Sequence, residues 1–257
     1  MSFVGILQFV VYILILIWLL KKKYGEKYSW KSLLRFWVCG AVALLIGIIL
    51  PLQKDMFYGL KNPLLIGFVT AFLMAGLLEE VLKYLMFRLA IFKNKEVVTW
   101  MDAIIAAVFV GAGFGMTEAL NYVLGGAVNI LRAFVPMHLF FQFVMGYFYG
   151  KARVTKQKKY DVYALVVPIL LHTVFDMFIL GILSVVSPED LGGKTVEQLQ
   201  NMPYGNYILV MGVALVAVVA VSFVALIVTA VKISKWKKRG EKQELLAEPV
   251  AKTEEAV

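Results

Sequence analysis

Seven apolar runs divide the chain, at about 3–20, 32–52, 63–92, 101–125, 131–150, 161–186 and 206–232, with short polar connections between them. Each approaches or exceeds the ~20 residues that carry a helix through ~30 Å of hydrocarbon. The third is longer than a span requires, which predicts a tilt or a kink within it. No connection is long enough for a separate soluble domain. The pattern therefore predicts an all-α fold, one polytopic transmembrane helical bundle over residues 1–239. The polar stretch at 240–257 alternates in charge without an apolar face and is expected to be a disordered tail.

Composition agrees: 61% of the residues are hydrophobic, 17% are charged, and the mean hydropathy is +0.81. That is too apolar for a soluble domain. The net charge of +9 could suggest a nucleic-acid partner, but its distribution excludes one. Basic residues gather after the first, third, fifth and seventh runs: Lys21 to Lys23, Lys93 and Lys95, Lys151 to Lys159, and Lys232 to Arg239. The 187–205 connection instead carries Glu189, Asp190 and Glu197. By the positive-inside rule this predicts an N-terminus outside and a cytoplasmic C-terminus. The first run lacks a basic leader and is followed by lysines rather than small residues, so it is expected to be a retained anchor. Cys39, the single cysteine, allows no internal disulfide.

Chemistry enters where the pattern is broken. An ionisable side chain at the centre of a bilayer costs about 2.5–3.5 kcal/mol on insertion scales, and such residues commonly mark function. The third run carries Glu79, Glu80 and Lys83, the last within a helical turn of both carboxylates. One Glu–Lys ion pair explains one glutamate and leaves the second unexplained. The fourth run holds Glu118 just after Gly111 and Gly115, a small-residue face, with Asn121 and Tyr122 within hydrogen-bonding spacing. The alternative for Glu118 is an outer-interface carboxylate reaching for water. In the fifth run His138, Gln142 and Gly146 share one face, and His172 and Asp176 stack at i and i+4 in the sixth. These are the only two histidines of the chain. Taken alone, either one could be a helix-to-helix hydrogen-bond donor. Together the four runs contribute carboxylates and imidazoles at compatible depths, an inventory that can activate water for attack on an amide, with or without a metal.

The succession Glu79-Glu80-x-x-Lys83, Phe114-x-x-x-Glu118, His138 with Gly146-Tyr147-x-x-Gly150, and His172-x-x-x-Asp176 resembles the PrsW family. That family comprises bacterial intramembrane proteases related to the CAAX prenyl endopeptidases and bacteriocin-processing enzymes. The resemblance covers about 63–180, within a motif-bearing core of about 63–186. It implies a multi-pass protein of the bacterial cell membrane that cleaves a membrane-anchored substrate such as an anti-sigma factor, in stress signalling. It implies Glu79, Glu80, His172 and Asp176 as catalytic residues, with Lys83 setting the charge of the glutamate pair. The attacking water is expected beside Glu80. Glu118 stands where the wider superfamily often has histidine. Glu118, His138 and His172 then make a candidate zinc triad with an open water position, while a metal-free glutamate mechanism uses the same residues. A proton- or metal-coupled transporter and a non-catalytic scaffold are the competing classes. No internal repeat favours the transporter, and a scaffold would tolerate loss of the glutamates. The glycine faces also admit a homo-oligomer.

Overall fold

The structure, a computed structural model, describes residues 28–50, 60–124 and 137–238. The expected first span, with Lys21 to Lys23, and the expected tail at 240–257 lie outside the described residues. Within them every regular element is helical. Helix α1 is Trp30–Ile49, α2 is Pro63–Thr70, and a π-helical segment at Ala71–Glu79 leads without a break into α3, Glu80–Ile91. Then come α4 (Trp100–Leu124), α5 (Met137–Thr155) and α6 (Lys158–Leu183), the short α7 (Pro188–Leu191) and α8 (Val196–Gln200), and α9 (Gly205–Lys238).

Capping chemistry sets several starts. Ser29 accepts from the Ser32 amide at the head of α1, and Asn62 accepts from the Leu64 and Leu65 amides with Pro63 in the first turn of α2. Asp102 accepts from the Val98 and Thr99 amides at 2.9 and 2.8 Å and receives the Tyr28 hydroxyl at 2.6 Å, which ties the chain before α1 to the head of α4.

Five of the described helical stretches are long and apolar enough to cross a membrane: 30–49, 63–91, 100–122, 158–183 and 205–222. They correspond to five of the seven expected runs. Helix α5 covers the described part of the expected 131–150 span. The overlong third run is accommodated by its π-helical segment, where a widened turn absorbs length that a straight span would not need. Helix α4 is the central element: 83% of its apolar window is buried, against 22–44% for the others. It packs on α1 and α5, α5 packs on α6, α6 on α2 and the π-helical segment, and α3 on α1. The circuit closes on itself, and α9 lies against α6.

Small residues let these backbones approach. A Cβ on Gly40 would collide with the Val110 carbonyl oxygen, and one on Gly113 with the Trp37 carbonyl oxygen, so α1 and α4 touch main chain to main chain. Gly146 on α5 lies against Ala103, Ile104 and Ala107 of α4, and Gly150 against Trp100. These glycine faces are therefore occupied by the chain's own helices. The outward faces are apolar: Val210, Val213, Val216, Val221 and Val224 of α9 and Trp30, Leu34 and Ile48 of α1 are all exposed, as a surface against lipid tails requires.

Candidate active site

The circuit of helices encloses one polar cluster. Glu80, Lys83 and Gln142 are fully buried, and Glu118, His138, His172 and Asp176 are nearly so. They sit on four helices, α3, α4, α5 and α6. The π-helical segment ends on Glu79 and regular helix resumes at Glu80. The two neighbouring glutamates thereby reach the same cluster.

Glu80 is its hub. One carboxylate oxygen, Oε1, lies 2.7 Å from Lys83 Nζ and 2.8 Å from His172 Nδ1; the other, Oε2, accepts from Gln142 Nε2 at 3.0 Å. Lys83 also lies 3.5 Å from Glu79 Oε2 and 3.1 Å from His138 Nδ1, with its ammonium 4.0 Å from the centre of the Phe114 ring. An ammonium has donors only, so His138 Nδ1 is the acceptor and His138 Nε2 carries the proton. That proton is donated to Glu118 Oε2 at 2.7 Å, and Tyr122 donates to Glu118 Oε1 at 3.2 Å. Glu118 is thus turned inward onto a histidine instead of outward to water. His172 stacks on Phe141, ring centres 4.6 Å apart and 28° between planes. Its Nε2 points between Asp176 Oδ2 at 3.4 Å and Glu79 Oε2 at 3.9 Å. With Nδ1–H donated to Glu80, that Nε2 lone pair faces two carboxylates, an arrangement that calls for a proton or a cation between them.

Ligand atoms of Glu79, His138 and His172 lie within 4.8 Å of one another. The donor chemistry fits a divalent metal: two imidazoles and a carboxylate converge, and each imidazole donates its other nitrogen to a carboxylate, Glu118 or Glu80. That outer pairing fixes tautomers and orients metal-binding histidines. Glu118, expected from the sequence as a ligand, stands behind His138 in this arrangement. Lys83 already uses the His138 Nδ1 lone pair. A metal at that nitrogen and the lysine hydrogen bond exclude each other, because an imidazole nitrogen has one lone pair.

Three contributors did not enter the sequence-based site. Gln142 shares a face with His138, and that four-residue spacing was the available signal. Phe114, which the sequence offers only as the first residue of the Phe114-x-x-x-Glu118 motif, lies against His138, and Phe141, which looks like an ordinary core residue in the sequence, lies against His172. Gly111 backs Gln142: a Cβ there would come within 2.6 Å of the His138 carbonyl oxygen and 2.7 Å of Gln142 Cγ. Gly111→Ala should therefore push α5 off α4, at about 1–3 kcal/mol for overpacking. The check is a lowered unfolding midpoint in lipid together with loss of activity.

Buried carboxylates and histidines that converge between apolar helices are equipment that an intramembrane enzyme can use. Residues 28–196 match the profile of the family described as "PrsW family intramembrane metalloprotease", so the chain belongs to the PrsW family and is a peptidase. It is 32% identical to Protease PrsW of Clostridioides difficile over 163 residues, covering 58% of this chain and 67% of that protein. It is 30% identical to Protease PrsW of Halalkalibacterium halodurans over 170 residues, 63% and 75% of the two chains. With Protease PrsW of Bacillus subtilis the identity is 35% over 125 residues, 46% and 57% of the two. The matches to these three thus span between about half and three quarters of the relatives' lengths. No solved structure matches the chain.

Proposed function

We propose that this chain hydrolyses a peptide bond of a membrane-anchored protein in the bacterial cell membrane, and that Glu79 is the carboxylate that receives the attacking water. One observation carries the reading. The Glu79 side chain is 19% accessible, whereas the Glu80 and Lys83 side chains are sealed at 0% and His172 at 1%. Glu80 has both oxygens engaged by three donors and no room for water, so the role expected for it passes to its neighbour.

Water arriving at Glu79 gives its proton to that carboxylate and attacks the scissile carbonyl; the proton then passes to the departing amine. Lys83, enclosed between Glu80, Glu79 and His138, sets the charge of the glutamate pair. Glu80 orients the His172 ring by accepting from Nδ1–H, and Asp176 faces the opposite nitrogen, Nε2. A metal held by Glu79, His138 and His172, zinc by the nature of these donors, would supply Lewis acidity to the water and the carbonyl. The expected orientation, N-terminus outside, brings the Glu118 end of α4 towards the outer face and favours substrate access from that side. A membrane-anchored anti-sigma factor is the substrate that the family resemblance favours.

The test compares membrane-protein N-termini in strains carrying the wild type, the Glu79→Gln/Glu80→Gln double variant, or a deletion, all under envelope stress. New N-termini confined to the wild type are expected and would name the substrate. Identical N-termini in all three strains, with normal protein levels, would overturn the reading and leave the transporter to be tested by flux into proteoliposomes.

A further inference from the structure

Among the described residues three buried side-chain polar atoms have no hydrogen-bond partner: Gln142 Oε1, Arg153 Nε and Tyr207 Oη. Only the first lies in the active site. The orientation of the Gln142 amide is dictated by chemistry. Its Nε2 faces Glu80 Oε2 at 3.0 Å, and a carboxylate accepts; the reverse orientation would set oxygen against oxygen. The carbonyl end is therefore the end left over, on a fully buried residue. Oε1 thus keeps acceptor capacity that no described side chain uses, on a residue that lines the active-site cluster. Gly111, with no side chain, leaves the Gln142 stem its place against α4, so the amide is built in rather than stranded.

A substrate segment in a bilayer offers a donor. Peptide-bond hydrolysis requires an extended chain, and unwinding a spanning helix leaves main-chain N–H groups without acceptors in hydrocarbon. We infer that Gln142 is a substrate-binding residue: its Oε1 accepts a hydrogen bond from one main-chain N–H of the unwound substrate next to the scissile bond, while Nε2 keeps Glu80 in place. The inference rests on the proposed proteolysis. It makes Gln142 the residue that registers an extended backbone, whatever the substrate's side chains.

The experiment uses the full-length protein in lipid and synthetic peptides spanning the cleavage site mapped from the new N-termini. One backbone N–H at a time is replaced by an ester oxygen, leaving the scissile amide intact. Cleavage of the all-amide peptide by the wild type tests the proteolysis itself. On the inference, one ester position lowers kcat/KM of the wild type by about ten- to hundredfold. Gln142→Met lowers it similarly on the all-amide peptide and then shows no further loss with that ester. Losses that multiply at every position would overturn the inference and assign Gln142 to holding Glu80 alone. A wild type insensitive to every ester would overturn it without any variant, so a misfolded Gln142→Met leaves the test intact. Gln142→Asn, which withdraws the carbonyl by one methylene, should match Gln142→Met in its ester response.

Discussion

Glu80→Gln should abolish cleavage and destabilise the protein, whereas Glu79→Gln should abolish cleavage alone. The asymmetry follows from where each carboxylate sits. Glu80 holds Lys83 at 2.7 Å, His172 at 2.8 Å and Gln142 at 3.0 Å, all in the sealed interior. Neutralising it leaves Lys83 with the more distant Glu79 as its carboxylate partner, and breaking a buried ion pair costs about 3–5 kcal/mol. Glu79 is partly accessible, and its nearest cation, Lys83, is 3.5 Å away and keeps Glu80. Loss of a general base lowers rates by about 10²–10⁴-fold, which takes Glu79→Gln to background in a cleavage assay, and Glu80→Gln falls with it because Glu80 positions Lys83, His172 and Gln142. Their unfolding midpoints in lipid should separate them clearly. A lowered midpoint for Glu80→Gln, with residual turnover only in that variant, would confine Glu80 to a structural role. Residual turnover only in Glu79→Gln would return the base to Glu80.

Metal affinity should move in opposite directions in two variants that leave the converging donors untouched. Glu118→Gln removes the carboxylate that accepts from His138 Nε2 at 2.7 Å. Loss of such an outer partner weakens metal binding by about 10–100-fold. Lys83→Met frees the His138 Nδ1 lone pair, 3.1 Å from the ammonium, and removes a cation from beside the donors. It should tighten binding by at least about tenfold, since each 1.4 kcal/mol is a factor of ten. Titration of purified protein with zinc reads both shifts without any need for turnover. Chelator should strip wild-type activity and added zinc should restore it. Two variants with unchanged affinity, and cleavage that survives chelation, would favour the carboxylate mechanism without metal.

The helical fold was legible because apolar runs of spanning length admit few other structures. Several candidate site residues were legible for a related reason: an ionisable side chain in an apolar run has few uses. What the linear pattern lacks is which neighbour each side chain meets. The spacing of Glu79, Glu80 and Lys83 allowed the lysine to serve either glutamate, and only the packing of α6 against the π-helical segment, with Gln142 and His172 reaching in, makes Glu80 the enclosed one. Glu118 could be seen as a carboxylate near the outer end of α4. Its pairing with His138 depends on the close approach at Gly111, twenty-seven residues before that histidine. Gln142 is uncharged and raises no alarm in an apolar run, so its place beside Glu80 had no compositional signal.

The nine residues of π-helix at Ala71–Glu79 have a consequence for how relatives should be compared. Each π-type bond closes over five residues instead of four, so this stretch runs out of phase with an ordinary helix by the time it reaches the glutamates. A helical wheel drawn straight through 63–91 assigns the wrong faces to residues upstream of Glu79. A relative with one residue fewer in this stretch could keep the same glutamate pair and still present a different upstream face to lipid. In such a comparison a single-residue gap before the pair records a change of helix type and leaves the chemistry where it was.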